Sequence, residues 1–254
     1  MISEQMKRRI KLIILLIFLT GGVYPDSYKY EFSWLRIPVS EFEIENKIIP
    51  ITKDRANQFS FKTKSLGPLR LMRNYQSEVT ITYTNDGWLY NLNGNDRGMP
   101  EKKDIQYYYN GIPVIANFID DNDVSPITPH INYDKDAIDP FTLIIRTIDL
   151  LKNNNTCKSM YKVFDGKRRY RVDVDLIMDK ISFEKDIHNI FKCRYTILSA
   201  NHMENAEHLS PKNRWPFNDE GRSMNIWYSR NHNYHPIRFQ LNTPIGRIEG
   251  RMIN

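Results

Sequence analysis

EVTITYTNDGWLYNL, residues 78–92, decides the fold class. Val79, Ile81 and Tyr83 stand at every second position, so in an extended chain they share one face. Asn85-Asp86-Gly87 follows, and then Trp88-Leu-Tyr-Asn-Leu92. An Asp-Gly pair between two such segments supplies positive φ at little cost, which predicts a tight hairpin between antiparallel strands.

The same signals recur outward in both directions. Tyr28–Trp34 alternates aromatic with polar residues, Val39–Ile44 alternates after Pro38, and Asn57–Thr63 puts Phe59 and Phe61 on one face. Asn110-Gly111 repeats the turn between Ile105–Tyr109 and Val114–Phe118. Further strands are expected over Lys158–Phe164, Lys167–Met178, Phe191–Ala200, Met224–Arg230, Ile237–Asn242 and Gly246–Ile253. Residues 120–139 and 201–221 are polar and read as long loops. One helix interrupts the series. Asp139 is a good N-cap, Pro140 suits the first helical position, and Phe141, Ile144, Ile145, Ile148 and Leu151 form an apolar stripe ending near Asn153-Asn154-Asn155. The fold class expected is mainly β. A large curved antiparallel sheet, a half-closed barrel or β-spiral, carries one amphipathic helix packed against it; two packed sheets are the alternative.

Residues 164–174, FDGKRRYRVDV, hold the densest positive charge. Asp165-Gly166 reads as a hairpin turn. Beyond it Arg168, Tyr170, Val172, Val174, Leu176 and Met178 share one face, while Lys167, Arg169, Arg171, Asp173 and Asp175 share the other. The run is therefore expected to be a solvated strand face rather than a nucleic-acid patch.

The first residues, MISEQMKRRIKLIILLIFLTGG, combine a basic segment with an apolar run and small residues, the pattern of an export signal. The run is short of the ~20 residues that cross a bilayer. Residues 1–22 are read as a signal peptide or N-terminal anchor, and residues 23–254 as a single β-rich periplasmic domain. The formal charge is +6, and residues 1–22 hold four Lys/Arg against one acid, so the remainder is only weakly basic. No nucleic-acid partner is expected. Cys157 and Cys193 are the two cysteines. In an exported protein they most simply form a disulfide, with two buried thiols as the alternative. Closing that loop would stabilise the fold by about 3–4 kcal/mol.

Catalytic patterns are missing. His232 and His235 stand three apart in a polar turn without a third ligand, and His202 and His208 lie in the second long loop. There is no Gly-x-Ser-x-Gly elbow, phosphate-cradling loop or dinucleotide fingerprint. Gly94-Asn-Asp-Arg-Gly98 joins two strands, and Asp120 and Asp121 sit in a loop without a visible partner. No enzyme, metal site or cofactor is expected. The aromatic strands permit one positive reading. A curved sheet lined by Phe59, Phe61, Val79, Ile81, Tyr83, Tyr170, Val172, Val174 and Leu176 could enclose an apolar cavity for a lipid or acyl chain. The alternative is that the helix plugs that space as ordinary core.

Several stretches look familiar together. They are Gly94-Asn-Asp-Arg-Gly-Met-Pro100, Ala137-Ile-Asp-Pro-Phe-Thr142, Cys157, Phe164-Asp-Gly-Lys-Arg-Arg-Tyr170, Cys193, Ile226-Trp-Tyr-Ser and Pro236-Ile-Arg-Phe. The succession resembles the exported proteobacterial family called domain of unknown function 3108 over roughly residues 27 to 253. Its specific parts are Asp139 and Pro140 before the helix, and Phe164, Asp165, Gly166, Arg168 and Tyr170. The resemblance implies a Gram-negative periplasmic location and a curved β fold similar to envelope β-spiral and lipoprotein-carrier-like proteins. It implies no reaction and no catalytic residue. The leader departs from the usual pattern in lacking an Ala-x-Ala cleavage sequence. The function expected is that of a non-enzymatic periplasmic envelope protein that binds a lipid or acyl ligand. The alternative is a structural or protein-interaction module with a plugged core, its partner another envelope protein. Membrane contact is expected only through the N-terminal segment, if it is uncleaved.

Overall fold

Thirteen strands hydrogen-bond into one sheet, each antiparallel to its neighbours. The computed structural model describes residues 27–51, 54–120, 126–177, 189–199, 222–243 and 246–253. The first seven strands are β1 (Ser27–Trp34), β2 (Ile37–Ile51), β3 (Asp54–Ser65), β4 (Tyr75–Thr84), β5 (Gly87–Asp96), β6 (Met99–Tyr108) and β7 (Val114–Asp120). The remaining six are β8 (Ser159–Phe164), β9 (Arg169–Ile177), β10 (Ile190–Ser199), β11 (Arg222–Ser229), β12 (His235–Thr243) and β13 (Gly246–Met252). Among the described residues three α-helices accompany them: α1 (Gly67–Met72), α2 (Ile131–Asp134) and α3 (Pro140–Asn154). The leader of residues 1–22, the loop of residues 201–221 with His202 and His208, and Asp121 lie outside the described residues.

The chain meanders outward from β1 to β7, crosses over through α3, and returns from β8 to β13, which pairs with β1. First and last strands are thus neighbours at the centre, and β7 and β8 are the two edges. The edges do not pair with each other, so the sheet is a half-closed barrel. The crossover stitches the seam without a ladder. Ile138 donates its N–H to Lys162 O at 2.9 Å and accepts from Phe164 N–H at 3.0 Å. The Tyr107 hydroxyl of β6 donates to the Phe164 carbonyl of β8 at 2.7 Å, and Ile127 N–H to Gly166 O at 2.8 Å. The Lys162 and Phe164 backbone groups satisfied in this way would otherwise be orphans on the β8 edge.

The hairpin over residues 78–92 forms as its pattern dictates. Val79 pairs with Leu92, Ile81 with Tyr90 and Tyr83 with Trp88. Helix α3 lies across the inner face. Asp139 caps it, accepting from Phe141 N–H at 2.9 Å and Thr142 N–H at 2.8 Å; the indole N–H of Trp88 donates to its second oxygen at 2.7 Å. At the other end Asn155 takes the left-handed conformation, φ 52°, that stops a helix. Leu143, Ile145, Ile148 and Leu151 are buried, and the Phe141 ring lies 4.7 Å from that of Phe61. Buried Thr147 accepts the Tyr195 hydroxyl at 2.9 Å, and Tyr195 meets Tyr228. The Cys157–Cys193 disulfide, Cα–Cα 6.2 Å, ties the segment after α3 to β10.

Four expectations need correction. Residues 120–139 are not a plain loop, since Asp120 ends β7 and residues 131–134 form α2. α1 was not foreseen; Gly-Pro opens it, and one and a half turns are too short to carry a helical period. His235 is not an exposed turn residue but begins β12, buried at 7% exposure. Lys167 is not on a solvated strand face: the strand begins only at Arg169, and Lys167 turns inward.

Candidate functional site

The side chains expected to line an apolar cavity all join one core. Phe61, Val79, Ile81, Tyr170, Val172 and Val174 are buried, and Phe59, Tyr83 and Leu176 pack against them part-buried. None of them lines either cleft described below. Burial raises the Tyr170 phenol well above its ordinary range, so it stays neutral.

Toward the end of the half-barrel that carries α1, the β5–β6 turn and the β8–β9 turn, the inner face changes from apolar to polar. Leu92 pairs with Lys103, and Gly94 pairs with Glu101. A cleft of about 420 Å³ opens there. Lys103, 5% exposed, holds its ammonium 3.2 Å from Glu101 Oε1. Lys167 lies 3.7 Å from the same oxygen and contacts the Asp120 carboxylate. Tyr75 donates its hydroxyl to Glu101 Oε2 at 3.2 Å; burial pushes this phenol up to about 12. Arg73 closes the outer side with its Nε 2.9 Å from Asp96.

The Phe164-Asp-Gly-Lys motif explains why a lysine enters this mouth. Asp165 Oδ1 accepts the backbone N–H of Lys167 at 2.9 Å and of Arg168 at 2.7 Å, which winds the turn tightly. Gly166 has φ +82°, and a Cβ there would lie 3.2 Å from both Ile105 and Phe118. Glycine lets the turn settle on β6 and β7, dropping Lys167 onto Asp120. Burial, reinforced by the Lys103 ammonium, lowers Lys167 to about 8. It remains charged at neutral pH and paired.

Arg169 is consumed in the same way, whereas Arg171 stays on the part-exposed face of its own strand. Arg169 Nε donates to both oxygens of Asp134 at 2.8 and 2.9 Å, holding α2 against the seam. Arg171 pairs with Asp173 at 3.0 Å. The seam and mouth use Lys167 and Arg169 to close the sheet, a role that strand alternation alone could not reveal. The period of two runs through Lys167 as well as Arg169, so nothing in it marks Lys167 as a turn residue.

A second, open groove of about 720 Å³ runs over β1–β5, lined by charged residues that include Lys29, Glu41, Glu43, Lys62 and Glu78. Lys62 pairs with Glu45 at 3.1 Å and Lys64 with Glu41 at 2.6 Å. The smaller cleft is mainly polar, and the larger groove mixes Tyr30, Phe42 and Ile253 with its charged side chains. No cluster of three His, Cys, Asp or Glu residues able to hold a metal occurs among the described residues, and no described helix is long and apolar enough to cross a membrane.

A family model described as a protein of unknown function, DUF3108, matches residues 27–253. No curated protein matches the sequence. Among solved structures, the crystal structure of a β-barrel-like protein of domain of unknown function DUF1849 from Brucella abortus is similar, with a TM-score of 0.54. The likeness covers 90% of this chain and 95% of that chain at 8% identity, and is therefore one of fold alone.

Proposed function

The chain belongs to the DUF3108 family of proteins of unknown function, and we propose that it is a non-enzymatic module of the bacterial cell envelope that works through its surface. The observation that carries this reading is the position of α3. Phe141, Leu143, Ile148 and Leu151 occupy the concave face where a carried lipid would lie, and Thr147 anchors them to Tyr195. The export pattern of the leader and the disulfide support an oxidising compartment. The ion-paired mouth supports a structural role, since each ammonium there already faces a carboxylate.

A carrier reading has one observation in its favour. Phe32 and Phe42 remain part-exposed on the inner face, their rings 6.3 Å apart. Native mass spectrometry and titration with a fluorescent fatty acid decide between the two. The expected result is an apo mass and no saturable binding. A co-purifying lipid, or saturable uptake of the probe, would overturn the plugged-core reading in favour of the carrier.

A further inference from the structure

The β1–β2 turn is built against its own chemistry. Leu35 and Arg36 both take positive φ, 50° and 69°, in a two-residue hairpin turn. Asn-Gly or Asp-Gly normally fills such a turn because larger side chains are strained there. Leu35 is nevertheless 65% exposed, and Ile37 just beyond the turn is 46% exposed.

Next to this turn stands α1. Leu66 N–H donates to Val39 O at 2.8 Å, and Gly67, φ +50°, approaches so closely that a Cβ would lie 2.7 Å from Pro38 O. This contact sets the helix on the same rim as the turn. Leu69 lines the polar mouth, whereas Leu71 is 91% exposed. The exposed leucines have arginine neighbours, Arg36 and Arg70, and no ion pair of either occurs among the described residues. Neither the turn nor α1 contains an acid.

From these juxtapositions we infer that the β1–β2 turn and α1 form a lip that docks on an anionic lipid surface, inserting Leu35, Ile37 and Leu71 while Arg36 and Arg70 meet the phosphates. Three apolar knobs on a turn and a short helix offer far less than the ~800 Å² per partner of a stable protein interface. A few inserted apolar side chains flanked by cations are what interfacial binding to anionic lipid requires. Arginine also suits the boundary, because its stem stays in the apolar layer while its head reaches the phosphates. The lip sits at the far end of β1 from Ser27. This docking rests on the envelope reading for its partner only; a lipid found inside the sheet would leave it standing.

The test uses the full chain with an environment-sensitive fluorophore on Asn74→Cys, an exposed position just beyond α1. Cys157 and Cys193 are disulfide-bonded, so the label has one target. Vesicles of phosphatidylethanolamine with phosphatidylglycerol should shift its emission to the blue, and phosphatidylcholine vesicles should not. Attachment through another part of the chain would leave the label in water. Leu35→Ser with Leu71→Ser should weaken the partition at least about tenfold, with far-UV circular dichroism unchanged. Arg36→Glu with Arg70→Glu should remove the dependence on phosphatidylglycerol. Absence of a shift on anionic vesicles would overturn the proposal, as would a shift that survives the double serine substitution. A concentration-dependent shift without vesicles would assign the lip to a second copy of the chain instead.

Discussion

His235 begins β12 with its ring stacked 3.9 Å from Tyr28. Burial, and then the nearby charges of Lys152 and His232, lower it to about 4 from 6.5. The native state therefore keeps the neutral ring while the unfolded chain takes up a proton near 6.5. Stability from this residue is whole above that pH and falls as pH drops toward 4, by about 3 kcal/mol in total. His235→Phe keeps the stacking and removes the proton. Urea titrations across this window should show a flatter pH profile for the variant; an unchanged slope would mean that another group titrates. The sequence around His235 conceals this burial, because Asn233 and Tyr234 carry the turn, with φ 53° and 60°, one residue before it. Asp139 was legible where His235 was not. Its Asp-Pro context marks a helix start locally, and only the bond from Trp88, 51 residues away, is a tertiary addition.

At the scale of elements, hairpins and the long helix followed their local patterns. α3 runs Pro140–Asn154 as its stripe and caps indicate. Its burial on more than the striped face could not be read from the helix alone, since Thr142 and Thr147 look like ordinary polar positions. Tertiary partners decide them: Thr147 returns its hydroxyl to Leu143 O at 2.9 Å and accepts Tyr195. The disulfide fastens the segment just past this helix to the sheet over a sequence separation of 36. Replacing both cysteines by alanine should cost about 3–4 kcal/mol in chemical denaturation. Reductant should destabilise the parent by a similar amount and leave the variant unaffected. Equal stability of the two proteins under oxidising conditions would refute a stabilising role.

Across the whole molecule, the problem is an antiparallel sheet with two distant edges. Each half of the chain is a meander of local hairpins, and the β1–β13 pair joins them over nearly the entire sequence. The opposite seam closes by side chains and crossover backbone, with Lys167 facing Asp120 across it. Lys167→Met should therefore destabilise by about 3 kcal/mol, because it takes the ammonium away from the Asp120 carboxylate, whose side chain is 2% exposed. Adding Asp120→Leu should recover most of the loss. A double variant as unstable as the single one would show that the lysine acts by packing rather than by charge.

The sequence by itself determined the class of fold, the hairpins, the helix with its caps, and the inward faces of the strands. Each of these follows from dihedral preference or from period, both local properties of a chain. Tertiary structure alone decided that the sheet stays open between β7 and β8, that α3 fills its concave face, and that Lys167 and Arg169 close the seam. Those outcomes depend on which charges and apolar surfaces meet after distant segments are brought together. Periodicity carries the direction in which a side chain points, but not what it will find there.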